Sequence, residues 1–184
     1  DAFFSRHQRV PDIILCAPTG KAAARMNDSW QAQKPLLQRQ LRPELQGALP
    51  ETAQTLHRVL GINPLSRQAK ADAESPLKAD LLILDEASMI DLPLLAQVLQ
   101  ALPGECHLLL VGDPNQLPSI EAGNLLGSLM PDAGGRYALP ALQDAHLHLQ
   151  ENYRQQSQEG LSRLARDCLL LPAEQFVDQL AANA

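Results

Sequence analysis

The sequence predicts an α/β fold, with a mostly parallel sheet flanked by helices. Three observations carry that expectation. Apolar runs of strand length recur at Ile13–Ala17, Leu81–Leu84 and Leu108–Val111. Helical patterns separate them. Each run also ends in a polar, turn-forming cluster: Pro18-Thr19-Gly20, Asp85-Glu86 and Gly112-Asp113-Pro114. Nearly continuous apolar strands joined through helical crossovers imply parallel pairing with both faces covered. In such sheets the ligand site lies at the carboxyl ends of the strands, where all three clusters fall.

In chain order, Ile13-Ile14-Leu15-Cys16-Ala17 is the first strand, and Pro18-Thr19-Gly20 turns it into a helix through Lys21 to Met26. From Ser29 to Ala79, Gln-rich stretches and Pro35, Pro43, Pro50, Pro64 and Pro76 predict an irregular insertion with short helices, one spanning Ala53 to Leu60. Leu81–Leu84 is the next strand. A helix follows at about Leu92 to Leu102, stopped by Pro103-Gly104. Leu108–Val111 then runs into a polar turn. A last apolar stretch, His146 to Leu149, precedes Glu151-Asn152-Tyr153-Arg154. Residues 1–160 read as one domain carrying the 29–79 insertion. Residues 161–184, with Leu161, Leu164, Ala165, Cys168 and Leu169 at helical spacing, read as a helical segment or the start of a connection.

A chain of 184 residues, 45% hydrophobic, can build one domain core. No apolar run reaches the length of a membrane span, and no leader pattern is visible. Cys16, Cys106 and Cys168 are scattered and lack metal-ligand spacing, which suits a reducing compartment. The expected location is the cytoplasm. Net charge is −6, but it is unevenly spread. Residues 1–70 hold ten basic and five acidic side chains, whereas residues 71–184 hold five basic and sixteen acidic ones. One face can therefore meet nucleic-acid phosphates while the rest stays acidic.

Leu81-Leu82-Ile83-Leu84-Asp85-Glu86 has the form of a Walker B element. The first carboxylate suits Mg²⁺, and the second suits orienting and polarising an attacking water. Adjacent residues of a strand point to opposite sides, so both reach one site only if the backbone turns after Leu84. Gln116, in Val111-Gly112-Asp113-Pro114-Asn115-Gln116, can bond a terminal phosphate or the water, because an amide both donates and accepts. Arg154, placed after a strand, can neutralise charge developing on a transferred phosphoryl group. Each element alone also reads as ordinary turn or surface chemistry; their order and spacing give them weight together.

Ala17-Pro18-Thr19-Gly20-Lys21-Ala22 resembles half of a phosphate-binding loop. The full pattern requires Gly where Leu15 stands and Ser or Thr where Ala22 stands. Lys21 is therefore not the nucleotide lysine. A helix amino terminus with Thr19 and Lys21 instead suits a nucleic-acid phosphate. Thr55 and His57, in Thr55-Leu56-His57-Arg58, can contact a strand's backbone or stack beneath a base.

In this order the phrases resemble the first motor domain of the RecD family of superfamily-one DNA helicases. They are Ala17 to Met26, Thr55 to Gly61, Leu84 to Asp91 and Gly112 to Gly123, with Tyr153-Arg154 similar to a following arginine motif. The resemblance implies a RecA-like P-loop NTPase domain and a 5′-to-3′ motor driven by ATP hydrolysis with Mg²⁺. It implies that Asp85, Glu86, Asp113, Gln116 and Arg154 serve the nucleotide, with Asp85 toward the metal, Gln116 as γ-phosphate sensor and Arg154 as arginine finger. It implies that Pro18, Thr19, Gly20, Lys21, Thr55 and His57 line a single-stranded DNA track. It further implies work in recombinational repair of double-strand breaks, within exodeoxyribonuclease V beside RecB and RecC subunits.

The family's phosphate-binding loop is expected before Asp1, with Asp1 to Arg9 as the tail of the helix after it, and a second motor domain beyond Ala184. The chain is thus expected to be a domain truncated at its amino end that neither holds ATP tightly nor hydrolyses it. Two other readings remain open here. One is a noncatalytic docking or DNA-binding module using the Pro-rich Ser29 to Pro76 stretch; the other is a stand-alone RecD-like or conjugative helicase.

Overall fold

The computed structural model describes residues 2–114, 116, 125–132, 135–147 and 149. The chain divides into two compact units, 1–143 and 144–184. In the second, the described residues are 144–147 and 149, none of them helical or in a strand. Arg154, the expected boundary at residue 160 and the segment 161–184 lie outside the described residues.

The first unit opens with α1 (Ala2–His7), followed by β1 (Ile13–Ala17), α2 (Gly20–Gln40), β2 (Gln54–Thr55) and α3 (Leu56–Leu60). Then come β3 (Leu81–Leu84), α4 (Leu92–Ala101), β4 (His107–Leu110) and α5 (Leu125–Leu129). The four strands form one sheet in the order β2-β1-β3-β4, and every pairing is parallel. The α/β architecture with a parallel sheet and flanking helices is therefore as the apolar runs predict.

Packing follows from residue size. On β3, Leu82 and Leu84 are fully buried against Leu56 and Leu60 of α3 and Val98 of α4. A separate cluster joins Ala17 of β1 to Ala22 and Ala23 of α2, where small side chains let the helix sit close to the strand. β4 is less covered than its apolar sequence suggests. It is the outermost strand among the described residues, and Leu109 remains about half exposed (48%).

Two expectations about the 29–79 stretch are corrected. Pro35 does not end the helix, because α2 runs unbroken through it to Gln40. A proline inside a helix costs about 3 kcal/mol, and tertiary bonds on both sides of Pro35 oppose that cost. Trp30, Gln31 and Lys34 bind the 50–51 segment, and the Gln46 amide donates to the Gln38 carbonyl at 3.1 Å. The helix expected over Ala53 to Leu60 is instead a two-residue strand followed by a helix that begins at Leu56.

At the amino ends of the strands, Arg9 makes a bidentate pair with Asp80, at 2.7 Å to Oδ2 and 2.5 Å to Oδ1. Asp80 also accepts the Asp12 amide at 2.8 Å. The Arg9 guanidinium lies 5.0 Å above the Phe3 ring, which stacks on His7. These contacts tie α1 to the edge of the sheet opposite the polar clusters. The expected strand over His146 to Leu149 is not formed at the described positions His146, Leu147 and Leu149.

Candidate functional site

Parallel pairing brings the strand ends into one row. The Asp85 amide donates to the Cys16 carbonyl of β1 at 2.9 Å. On the other side the Val111 amide donates to the Leu84 carbonyl at 2.9 Å, and the Ala87 amide to the Val111 carbonyl at 2.9 Å. The turn carrying Asp85 and Glu86 is thus fastened to both neighbouring strands.

Glu86 supplies the backbone turn that two adjacent carboxylates need. It is left-handed, with φ 54° and ψ 40°, and a short 3₁₀ turn at Ala87–Met89 follows it. A left-handed conformation costs a non-glycine residue roughly 1–2 kcal/mol. The ladder bonds of Asp85, Ala87 and Val111 hold it in place, and Asp85 Oδ1 accepts the Glu86 amide at 2.9 Å. Both residues remain partly accessible at the carboxyl edge of the sheet.

The donor set fits a hard divalent cation that keeps much of its water shell. Asp85 has one oxygen engaged at Glu86, while its other oxygen accepts no hydrogen bond from the described residues. Mg²⁺ characteristically takes one or two carboxylates together with substrate phosphates. Asp85 and Glu86 offer that much.

Beyond β4, the Gln116 amide donates to the Asp113 carbonyl at 3.2 Å, which forms a turn at the strand end beside β3. Gln116 is exposed. Asn115 and residues 117–124, which complete the expected motif, lie outside the described residues, as does Arg154.

The proposed DNA residues meet on the other flank of β1. Ala17 pairs with Thr55 in the β1–β2 register, so Pro18–Lys21 and Thr55–His57 leave adjacent strands side by side. Thr19 caps α2, its Oγ1 accepting the Ala22 amide at 3.2 Å. Thr55 caps α3 in the same way, accepting the Arg58 amide at 3.3 Å. A capping hydroxyl still has its own hydrogen to donate. The start of α2 is open, since a methyl built on Gly20 would meet nothing within 4 Å. Lys21, Arg25, His57 and Arg58 are exposed around this end. Sequence reasoning does not single out Arg25 or Arg58; the i, i+4 spacing of Arg25 from Lys21 is a signal for the first.

Gly112 is a third residue whose role the sequence leaves dark. A methyl there would come within 2.9 Å of Leu126 Cδ2 and 3.1 Å of the Ala87 and Ser88 amide nitrogens. β4 therefore leaves the sheet in close contact with the turn that follows Glu86. Ser88 is itself buried, and its hydroxyl has no hydrogen-bond partner among the described residues.

Comparison with known proteins bears on this arrangement. A family model described as an AAA domain matches residues 2–122. The RecBCD enzyme subunit RecD of Haemophilus influenzae is 38% identical over 159 residues, which cover 85% of this chain and 24% of that protein. The RecBCD enzyme subunit RecD of Mycolicibacterium smegmatis is 41% identical over 127 residues, 68% of this chain and 22% of that protein. The ATP-dependent RecD2 DNA helicase of Deinococcus radiodurans is 38% identical over 112 residues, 61% of this chain and 13% of that protein. The chain thus spans about a quarter or less of the curated relatives it matches.

Proposed function

Because the chain belongs to the AAA domain family and is homologous to RecD-family DNA helicases, we propose that it is part of an ATP-driven DNA motor. In this reading the parent protein moves 5′ to 3′ on single-stranded DNA as the RecD subunit of exodeoxyribonuclease V. It works with RecB and RecC in recombinational repair of double-strand breaks, in the cytoplasm. The observation that carries the reading is the strand order. β1 lies between β2 and β3, so one five-residue strand runs into Thr19 and Lys21 at its own end, with Thr55 beside it on one flank and Asp85-Glu86 on the other. A displacement on one flank reaches the other through a single strand.

Within that motor, Asp85 would help hold Mg²⁺, which supplies charge neutralisation for ATP phosphates. Glu86 orients water and takes up its proton. Gln116 and Asp113, at the end of β4, would contact the nucleotide, and Arg154 would act as arginine finger. Electrostatic preorganisation contributes most in phosphoryl transfer. The 184 residues contain no Gly-x-x-x-x-Gly-Lys-Ser/Thr loop, so this chain by itself is expected to bind ATP weakly and not turn it over. Similarity to the Deinococcus RecD2 helicase favours a second reading, a motor that works without RecB and RecC.

The DNA side is tested by fluorescence anisotropy of a labelled single-stranded oligonucleotide titrated with this chain. Binding should weaken with salt, with a slope of about 0.7 per phosphate contact, and Lys21→Ala should reduce both affinity and slope. Weak, salt-independent binding unchanged by Lys21→Ala would favour a noncatalytic docking module.

A further inference from the structure

β2 contains only Gln54 and Thr55 and has two register pairs with β1, too little to fix the segment that delivers Thr55 and His57. A stripe of side chains on α2 supplies what is missing. Asn27, Trp30, Gln31 and Lys34 stand at i, i+3, i+4 and i+7, one face of the helix. Together they bind the chain just before β2. The Trp30 indole donates to the Pro50 carbonyl at 2.7 Å, and the Gln31 amide donates to the Glu51 carbonyl at 2.6 Å. Asn27 Oδ1 accepts the Ala53 amide at 3.3 Å, and Lys34 Nζ lies 3.1 Å from the Glu51 carboxylate. Backbone groups at residues 50, 51 and 53 are thus satisfied by side chains, as a neighbouring strand would satisfy them.

The same helix begins at Thr19, Gly20 and Lys21. One rigid element therefore presents half of the candidate DNA track at its amino end and sets the position of the other half through its flank. We propose that Asn27, Trp30 and Gln31 are positioning residues for DNA binding: they lock the Thr55–His57 segment to the Thr19–Lys21 segment, so that the two grip single-stranded DNA as one unit. The inference rests on the DNA-track reading given above. It differs from that reading in assigning a role to side chains that need not touch DNA. Polar side chains facing a loop backbone make such a lock specific in register, which apolar packing would not.

The experiment uses the full 184-residue chain and a labelled oligothymidylate, with Kd measured across a range of salt. Trp30→Phe keeps the ring and removes its donor; Gln31→Ala removes the next bond. Each is expected to raise Kd by about fivefold, the loss of roughly one hydrogen bond's net contribution, and to lower the salt slope by about 0.7 for each phosphate contact that goes out of alignment. Amide hydrogen exchange should quicken at residues 53–58 and stay unchanged at 81–84. Arg9→Ala, which removes the ion pair at the opposite end of the sheet, controls for general loss of stability and should leave Kd and slope unaltered.

If Arg9→Ala weakens binding as much as Trp30→Phe does, the effect is only destabilisation and the proposal fails. If Lys21→Ala weakens binding while Trp30→Phe and Gln31→Ala do not, the DNA track stands and the positioning role is wrong. If Lys21→Ala and His57→Ala both bind like the parent chain, the DNA reading falls and takes this inference with it. Should Trp30→Phe not fold, Gln31→Ala, at an exposed position, decides the matter alone.

Discussion

Gly112 lies so close to Ser88 that a methyl group on it would stand 3.1 Å from the Ser88 amide nitrogen. The contact joins the turn after β4, which leads to Gln116, to the turn after β3, which holds Glu86. Because the opposing atoms include backbone, they cannot swing aside. Gly112→Ala is expected to destabilise the chain by about 1–3 kcal/mol through overpacking, read as a lower urea midpoint at unchanged slope. Gly20→Ala meets open space and should leave the midpoint the same or slightly higher. Equal midpoints for both variants would contradict the close contact at Gly112.

Thr19 and Thr55 cap α2 and α3 whether or not either touches a ligand. Thr19→Ala and Thr55→Ala should each cost about 1 kcal/mol, measurable by chemical denaturation. Serine at either position should restore most of the loss, since the accepting oxygen is kept. Thr19→Ala with no loss of stability would contradict the cap bond to Ala22.

These caps also mark how far sequence carries. Thr19 directly before Gly20 and a run of alanines is a visible helix start. The strands Ile13–Ala17 and Leu81–Leu84 are legible because each is a compact apolar run between polar turns. β2 is not legible: Gln54-Thr55 has no apolar pattern, and its strand character comes from pairing with Cys16 and Ala17 nearly forty positions away. Pro35 misleads for a related reason. Its local cost is real, but Trp30, Gln31 and Lys34 anchor the helix from outside, and such anchoring leaves no local signature. Asp85-Glu86 marks a sheet edge from sequence alone, whereas the left-handed backbone at Glu86 follows from ladder bonds on both sides of the turn.

Asp80 gives the fold a pH dependence at its other end. Its hydrogen bonds from the Arg9 guanidinium hold its pKa below the ordinary 3.8, with the Asp12 amide assisting against a modest burial penalty. A depressed carboxyl pKa stabilises the folded chain above the ordinary value, and the benefit fades as pH falls through the folded one. Asp80→Asn should therefore lower the melting temperature at pH 7. The gap from the parent chain should narrow below about pH 4. A gap that is constant from pH 7 to pH 2.5 would show that the ion pair contributes nothing through charge.

Burial pushes the Cys16 thiol up to about 12, whereas Cys106 is raised by burial but remains partly accessible. The thiolate is the reactive form. Iodoacetamide at pH 8, with the labelled sites identified by mass spectrometry, should modify Cys106 well before Cys16, which should label only on unfolding. The neutral Cys16 thiol favours the folded chain below its ordinary value of 9.0. Its contribution is lost as pH rises from there toward about 12. Early labelling of Cys16 in the folded chain would contradict its position in the core.

The proposal that the carboxyl edge of β3 is the water-activating side of an ATP site coupled to DNA stands or falls on DNA-stimulated ATP hydrolysis by a protein that joins this chain to a phosphate-binding loop and a second motor domain. Glu86→Gln should lower kcat at least about a hundredfold while single-stranded DNA still binds. Turnover unaffected by Glu86→Gln, in a folded and DNA-responsive protein, would contradict it.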